Sequence, residues 1–406
     1  EDFSGTTDAN GVFTMPNRSV KGEEMLATGH EVHDNPWGLF HLAGFNALFF
    51  CDIQAYGQTD YQYIEAGAYN MAFRSGAKDS YTYDMRTTIV PGGRVTTNDL
   101  FAIKMVSDKK GYAVGAGGTI LQWDGKKWSH MPSPTGQALF NLDVDPSGTL
   151  AVAVSGQGTI ITCTNGKWTK KDLGDGANLL ACAAPSANVI LVGGERGELY
   201  RSTDGGENWD RIEAAKDAIR SIRFAGPKNG IMICDGPAAY YTTDGGETWT
   251  KSDSEFKFTV FQGWGSRPEQ SATLTDCCMA SETDAWACCE EGVVFRSTDG
   301  GRTWQVHTDF ANFARWQPLY CIDMKPGATG WTSGSFDRFY DTVPIKRFYA
   351  NGKVAVEPVT AFGASDRIYD ISCVNANDGW LVGKGGLILR VQGIEYAPVV
   401  PHGLPR

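Results

Sequence analysis

No stretch of this chain stays apolar for the roughly 18–20 residues a membrane-spanning helix needs; the longest candidate is interrupted at His41, Gly44 and Asn46. Positive charge is in the minority, with Lys+Arg 36 against Asp+Glu 47 and a net charge of −11. That balance argues against a nucleic-acid partner, whose phosphates demand a basic footprint. The 10 cysteines include no C-x-x-C pair and no C-x-x-C-H signature, so a zinc ribbon and a c-type haem both lack their ligand spacing. Gly-x-Ser-x-Gly, His-Glu-x-x-His and P-loop patterns are missing as well, which removes the common local signatures of hydrolases, metalloproteases and nucleotide-binding enzymes. The first residue is Glu1 rather than Met, and the expectation drawn from it is a mature form whose targeting segment has been removed.

What the chain does contain is repetition. Its 406 residues allow one large all-β domain or two ordinary domains, and 49 glycines with 12% aromatics favour short strands joined by tight turns. A pattern of apolar strand, polar turn, aromatic-x-x-Gly, apolar pair and Asp-Gly turn recurs at 101–128, 139–168, 179–209, 219–249, 274–304, 319–340 and 368–393. A period of about 40 residues is that of a four-stranded propeller blade. The fold expected is therefore all-β: a seven-bladed β-propeller of four-stranded blades over 99–406, preceded by an N-terminal extension over 1–98.

One slot of the repeat reads Gly115, Ser155, Gly194, Cys234, Cys289, Gly334 and Gly383. A place that accepts only small side chains is a crowded contact, and Cys acts there as a small hydrophobe. Cys182, Cys277, Cys278, Cys321 and Cys373 fall on the first strand of their units, nearest the propeller axis. A hairpin centred near Thr283 would set Cys277 opposite Cys289 and Cys278 opposite Cys288. That register leaves two readings open, a cross-strand disulfide and buried free thiols, of which the second is preferred.

Three units end on the same words: YRSTDGGENW to Trp209, YTTDGGETW to Trp249 and FRSTDGGRTW to Trp304. Asp204, Asp244 and Asp299 are suited to accept backbone N–H groups of their own turn, the paired glycines to supply positive φ, and the three tryptophans to pack back into the blade. Degraded copies run from Trp123-Asp124-Gly125 to Trp128 and from Asn165-Gly166 to Trp168. A reaction centre has no reason to be copied around a ring, so the stamp is read as a folding device.

These residues resemble the Asp-box, Ser-x-Asp-x-Gly-x-Thr-Trp, of sialidases, sortilin-type receptors and related propellers. With GYAVGAGGTI and GWLVGKGGLI, the repeats resemble more specifically those of the photosystem II stability/assembly factor family over about 99–400. That resemblance implies a seven-bladed propeller that chaperones membrane-protein subunits from the lumenal side, carries no cofactor, and bears an arginine patch across its blades. The chain departs from it in the long extension, in an insertion at 251–271 and in a sixth unit without an Asp-box.

Arg201, Arg296 and Arg390 share one slot after the apolar pair of the third strand. Two readings apply: each guanidinium pairs locally with a carboxylate, or together they form a basic patch for an acidic loop of a partner. In the extension, Asn35-Pro36 begins an expected helix over about 36–50 that carries Trp37, Phe40, Phe45 and Phe49. Its apolar side would cover a propeller face, or dock on a partner or membrane surface. His30, His33 and His41 are a weak metal candidate, read first as a polar loop. Asn17-Arg18-Ser19 matches a glycosylation acceptor, a pattern of little weight.

The function expected is non-catalytic: a scaffold, assembly factor or stably bound accessory subunit that binds protein subunits of a photosynthetic or respiratory membrane complex. It would be peripheral to the membrane, in an organelle lumen or another extracytoplasmic compartment. The alternative is an extracytoplasmic carbohydrate-binding or sialidase-like propeller. That reading requires three arginines and an acidic pair converging on the axial pocket, and no start-of-domain Arg-Ile-Pro signature supports it.

Overall fold

The computed structural model describes residues 95–393, except 175, 259–260, 263–264, 267–268, 310–317, 336–342, 351–353 and 360–366, together with the earlier strands Asn70–Ala72, Tyr81–Tyr83 and Thr87–Pro91. The expected helix with Trp37, Phe40, Phe45 and Phe49, the histidines 30, 33 and 41, and the acceptor at Asn17 all lie outside the described residues.

Seven four-stranded antiparallel sheets make a seven-bladed β-propeller. The blades begin on the innermost strands Leu100–Ser107, Leu139–Val144, Leu179–Ala183, Ile219–Ala225, Leu274–Met279, Leu319–Lys325 and Ile368–Asn375. These strands neighbour one another in that order, and the seventh returns to the first. Second strands such as Leu150–Ser155 and Ala285–Cys289 are buried on both faces, since each lies inside a sheet sandwiched between two neighbouring blades.

The ring closes with a strand from before the first repeat. Blade seven contributes Ile368–Asn375, Asp378–Gly383 and Ile388–Gly393, and its outermost strand is Thr87–Pro91, paired from Thr87↔Gly393 to Pro91↔Leu389. The boundary drawn at 98 from the repeats leaves this strand on the far side of the ring it completes. Blade six likewise differs from its repeat. Its third strand is Val343–Phe348, beyond the 319–340 unit, and its fourth is Val354–Val359.

Every innermost strand carries the same bulge. Leu100 pairs with Gly115 and Ala102 with Val114, leaving Phe101 as the extra residue; Phe140, Leu180, Arg220, Thr275, Tyr320 and Tyr369 are its counterparts. The hairpin turn, not the bulge, corrects the expected cysteine register. It is centred on Glu282 rather than Thr283, so Met279 pairs with Ala285, Cys277 with Ala287 and Cys278 with Trp286, while Cys288 faces Asp276 and, beyond the bulge at Thr275, Cys289 faces Leu274. No disulfide forms among the described cysteines, and all nine are buried thiols.

The small-residue slot has a steric cause. A Cβ on Gly115, Gly334 or Gly383 would come within 2.0, 1.8 or 1.9 Å of the carbonyl oxygen of Asp99, Pro318 or Arg367, each just before an innermost strand. In blade two Ser155 fills the slot and donates its hydroxyl to the Ala138 carbonyl at 2.6 Å. The insertion at 251–271 buries Phe256 and Phe258 in the core of blade five, with Phe256 5.2 Å from Phe295 and 5.6 Å from Trp304.

Candidate functional site: the turn face and the axial channel

The three Asp-boxes are nearly superimposable in chemistry. In blade three the Ser202 hydroxyl donates to Asp204 at 2.8 Å and accepts the Gly206 N–H at 2.9 Å, while Asp204 accepts the Asn208 backbone and side-chain amides at 2.9 and 2.7 Å. Blade four repeats this with Thr242, Asp244 and Thr248 at 2.7–3.0 Å, and blade five with Ser297, Asp299 and Thr303. Gly205 and Gly206, with φ of 75° and 99°, take the left-handed conformations the turn requires. The amide and hydroxyl donors of Asn208 and Ser202 hold the exposed Asp204 carboxyl down at about 2. At Asp244 burial pulls upward, yet Thr248 and Thr242 hold that carboxyl at about 2 as well. The box tryptophans differ more. Trp209 and Trp304 donate their indole N–H to Gly206 and Gly301 at 2.9 and 3.1 Å, whereas the Trp249 indole N–H has no partner.

The arginine slot is real in register: Arg201 pairs with Leu191, Arg296 with Trp286 and Arg390 with Trp380. Arg296 is a bidentate donor to Asp284 at 2.8 and 3.1 Å, and Arg390 to Asp378 at 2.8 Å on both nitrogens. Each lies over its paired indole, at 4.7 and 5.3 Å. Arg201 instead reaches blade four, donating to the Gly245 carbonyl at 3.0 Å and to Glu247 at 3.4 Å. The three thus stand on blades three, five and seven, each with its own acceptor. Arg296 also walls an open groove of about 230 Å³ with Gln305, Val306 and His307. A fourth member, Arg347, lies beyond the 319–340 repeat unit. Arg347 pairs with Trp331, stacks on Trp331 and Tyr349 at 4.7 and 4.6 Å, and donates to Asn377 at 2.6 Å. Only the misplaced third strand of blade six hid it.

At the axis, carboxylates from several blades line the channel and latch one blade to the next. Asp143 of blade two accepts the Ala184 N–H of blade three at 2.9 Å. Asp276 of blade five accepts Ile322 of blade six at 3.1 Å, and Asp323 of blade six accepts Cys373 of blade seven at 2.6 Å. Asp370 of blade seven accepts Ile103 of blade one at 2.8 Å, helped by Ser372, which accepts Met105 at 2.9 Å. The cations are paired within the same belt: Lys104 with Asp143 at 2.8 Å, Arg223 with Asp276 at 3.5 Å and Lys325 with Asp323 at 3.1 Å. Burial, with Asp276 close by, raises the Asp370 carboxyl to about 7 against the pull of Arg223. A cavity of about 190 Å³ lies here, walled by Lys104, Arg223, Asp323, Lys325 and Asp370 among others. Arg223 is the one arginine among its described lining residues, so the arginine triad of a sialidase-like site is not assembled there. A sequence signal for the latches exists, an Asp two to four residues into an otherwise apolar strand in four units.

Among the described residues no His/Cys/Asp/Glu group could hold a metal ion, and no helix is long and apolar enough to cross a membrane.

This arrangement defines an Asp-box type propeller. The family model of Sortilin, neurotensin receptor 3 (Sortilin-Vps10) matches residues 197–327, the stretch holding the three boxes and less than half of the chain. No curated protein sequence matches. Solved structures similar to the chain include YCF48 from Cyanidioschyzon merolae, with TM-score 0.57 and 15% identity over 75% of this chain and 98% of that one. YCF48 bound to D1 peptide gives TM-score 0.55 and 14% identity over 75% and 96%. The WD40 β-propeller domain of Doa1 gives 0.56 and 12% over 75% and 96%. At such identities the likeness establishes the propeller fold.

Proposed function

We propose that this chain is a non-catalytic scaffold, an assembly factor or stably bound accessory subunit, that binds protein subunits of a photosynthetic or respiratory membrane complex. The observation that carries the reading is the occupation of the axial belt. The carboxylates and cations where a propeller enzyme would keep its reacting groups serve as blade-to-blade latches and ion pairs. Likeness of fold to YCF48, one structure of which holds a D1 peptide, adds support for a protein partner. The site for that partner is sought on the blade faces, where Arg201, Arg296 and Arg390 remain candidates, and on the extension with Trp37, Phe40, Phe45 and Phe49. The compartment that fits is an organelle lumen or another extracytoplasmic space. Purification under native conditions, followed by identification of co-migrating proteins, tests the reading. Stable association with membrane-complex subunits is the expected result. Binding to a glycan array without protein partners would favour the carbohydrate-binding alternative, with which the match to the sortilin model is compatible.

A further inference from the structure

The turn face, where the first–second and third–fourth strand hairpins lie, is electrically divided. In blades three, four and five the residue just before the closing tryptophan is Asn208, Thr248 or Thr303, and its side chain is bonded to the box carboxylate. In blades one and two the same position holds Lys127 before Trp128 and Lys167 before Trp168. Each lysine has left the box and is exposed. The position before it is Glu207 in blade three and Glu247 in blade four, Arg302 in blade five, where the guanidinium is held over Tyr241 at 4.9 Å and bonded to the Asp299 carbonyl, and Lys126 in blade one. Lys109 joins them, because the hairpin at Gly125 sits against it: a Cβ on Gly125 would be 3.3 Å from the Lys109 Cα. Lys110 bridges to blade two by donating to the Gly148 carbonyl at 2.6 Å, over a Tyr112 ring that Trp168 meets edge-on at 5.9 Å.

The patch therefore sets five lysines against Asp108, Asp124 and Asp145, the last capped by Ser147, Thr149 and Leu150 of its own turn, on a chain of net charge −11. Asp124 is already accepting the Lys126 and Lys127 backbone N–H groups at 2.8 and 2.9 Å. The axial cations and the arginines at 201, 220, 296 and 390 all meet carboxylates. Among the described residues, Lys109, Lys126, Lys127 and Lys167 form no ion pair within 4 Å, and Lys126 and Lys127 act on Asp124 only from a distance, helping its backbone donors to hold that carboxyl down. Clustered, solvated, unpaired cations on an acidic protein raise the rate and selectivity of encounter with an opposite charge.

We propose that the turn face of blades one and two is the docking surface for an acidic segment of a partner protein. This deepens the scaffold reading and rests on it for the partner's being a protein. Blades three and four, with Glu207 and Glu247 in the matching turns, repel the same segment and so orient it.

The test uses the full chain and a fluorescein-labelled decaglutamate peptide, followed by anisotropy at low and physiological salt. A variant carrying Lys109→Ser, Lys126→Glu, Lys127→Thr and Lys167→Thr borrows the side chains the sister blades use in the last three of these positions. It is expected to melt as the parent does and to bind about tenfold or more weakly, while Lys216→Glu with Lys228→Glu changes little. Should the fourfold variant not fold, Lys127→Thr with Lys167→Thr is expected to show a smaller loss in the same direction. Undiminished peptide binding by a folded variant overturns the proposal. So does stronger, patch-dependent binding to phosphatidylserine vesicles than to the peptide, which would make the surface a lipid contact. If the variant still co-purifies with membrane-complex subunits, the patch fails and the scaffold reading stands. If the peptide binds at the patch but no protein ever co-purifies, the scaffold reading fails.

Discussion

The turn face and the axis of this propeller are built on opposite plans. At the turns, three blades repeat one hydrogen-bond set almost atom for atom, from Ser202–Asp204–Gly206 to Ser297–Asp299–Gly301. At the axis the contacts run between blades and come in two forms: Asp370 and Ser372 hold blade seven to blade one from the same strand positions at which Asp276 and Cys278 hold five to six, while Asp143 and Asp323 use the position of Ser372 and Cys278 to hold two to three and six to seven. A turn is solved within one blade, whereas a seam needs a donor from the next blade's strand. Both devices recur, and departure from the turn device marks what faces the outside, as with the lysines that replace the box residues in blades one and two.

The strongest way to break this comparison is at the one seam that no repeat encodes. Deleting residues 1–86 leaves Thr87–Pro91 in place, and that protein is expected to melt cooperatively. Deleting 1–94 removes the outer strand of blade seven and its five paired residues. The exposed edge of Ile388–Gly393 then ends the ring, at a cost that consumes much of a native domain's ~5–15 kcal/mol margin. Circular dichroism with thermal melting checks both. Equal melting of the two truncations would show that closure does not depend on this strand.

Next come the box tryptophans, which share a motif but not an environment. Trp304 is 7% exposed, packs on Phe256 and donates to Gly301, so Trp304→Ala is expected to cost about 3–5 kcal/mol. Trp249 is half-buried, meets Phe224 edge-on at 6.0 Å and leaves its indole N–H unpaired. Trp249→Ala is expected to cost about 2 kcal/mol, below that range, because less of its ring leaves solvent on folding. Denaturant midpoints at constant slope give both values. Equal losses would mean that the motif, and not its packing, sets the energy.

At the axis, Asp370→Ala strips the acceptor from the Ile103 and Ile371 N–H groups, both bonded at 2.8 Å. A buried donor left unsatisfied costs about 1–3 kcal/mol, and the loss is expected to exceed that from Asp244→Ala in an exposed turn, at about 1 kcal/mol. A smaller loss at the axis would reverse the ranking of seam over stamp.

Periodicity made the blades legible because each unit writes its own four strands, its turn and its crowded small-residue slot within about 40 residues. The carbonyl that enforces that slot sits just before the same unit's first strand, so local sequence carried the constraint. Two features were hidden for a common reason: their partners lie elsewhere in the chain. Thr87–Pro91 finds its mate some 300 residues on. Asp143, Asp276, Asp323 and Asp370 answer backbone groups of the next blade. The cysteine register failed locally instead, because a turn centred one residue earlier, on Glu282, moves Cys277 from Cys289 to Ala287. Arg347 was hidden differently, by residues 336–342 separating it from the motif that would have aligned it.

The smallest expected effect is also the most direct contrast, because the two regions titrate in opposite senses. Asp244 is lowered from 3.8 to about 2 in the folded protein, so its contribution is present above pH ~4 and is lost as pH falls through about 2. Asp370 is raised from 3.8 to about 7. Its folded state binds the proton more tightly than the unfolded chain, so its contribution is full below pH ~4 and is lost as pH rises through about 7. Across pH 4–7 the box acids are silent and Asp370 slopes the stability downward; between pH 4 and 2 the boxes slope it in the opposite sense. Asp370→Asn is therefore expected to flatten the upper limb of the stability profile and leave the lower one, and Asp244→Asn to do the reverse. Urea unfolding at half-unit pH intervals resolves the two limbs. A single substitution that flattened both would mean that turn and axis titrate as one unit, and the contrast between turn and axis would fall with it.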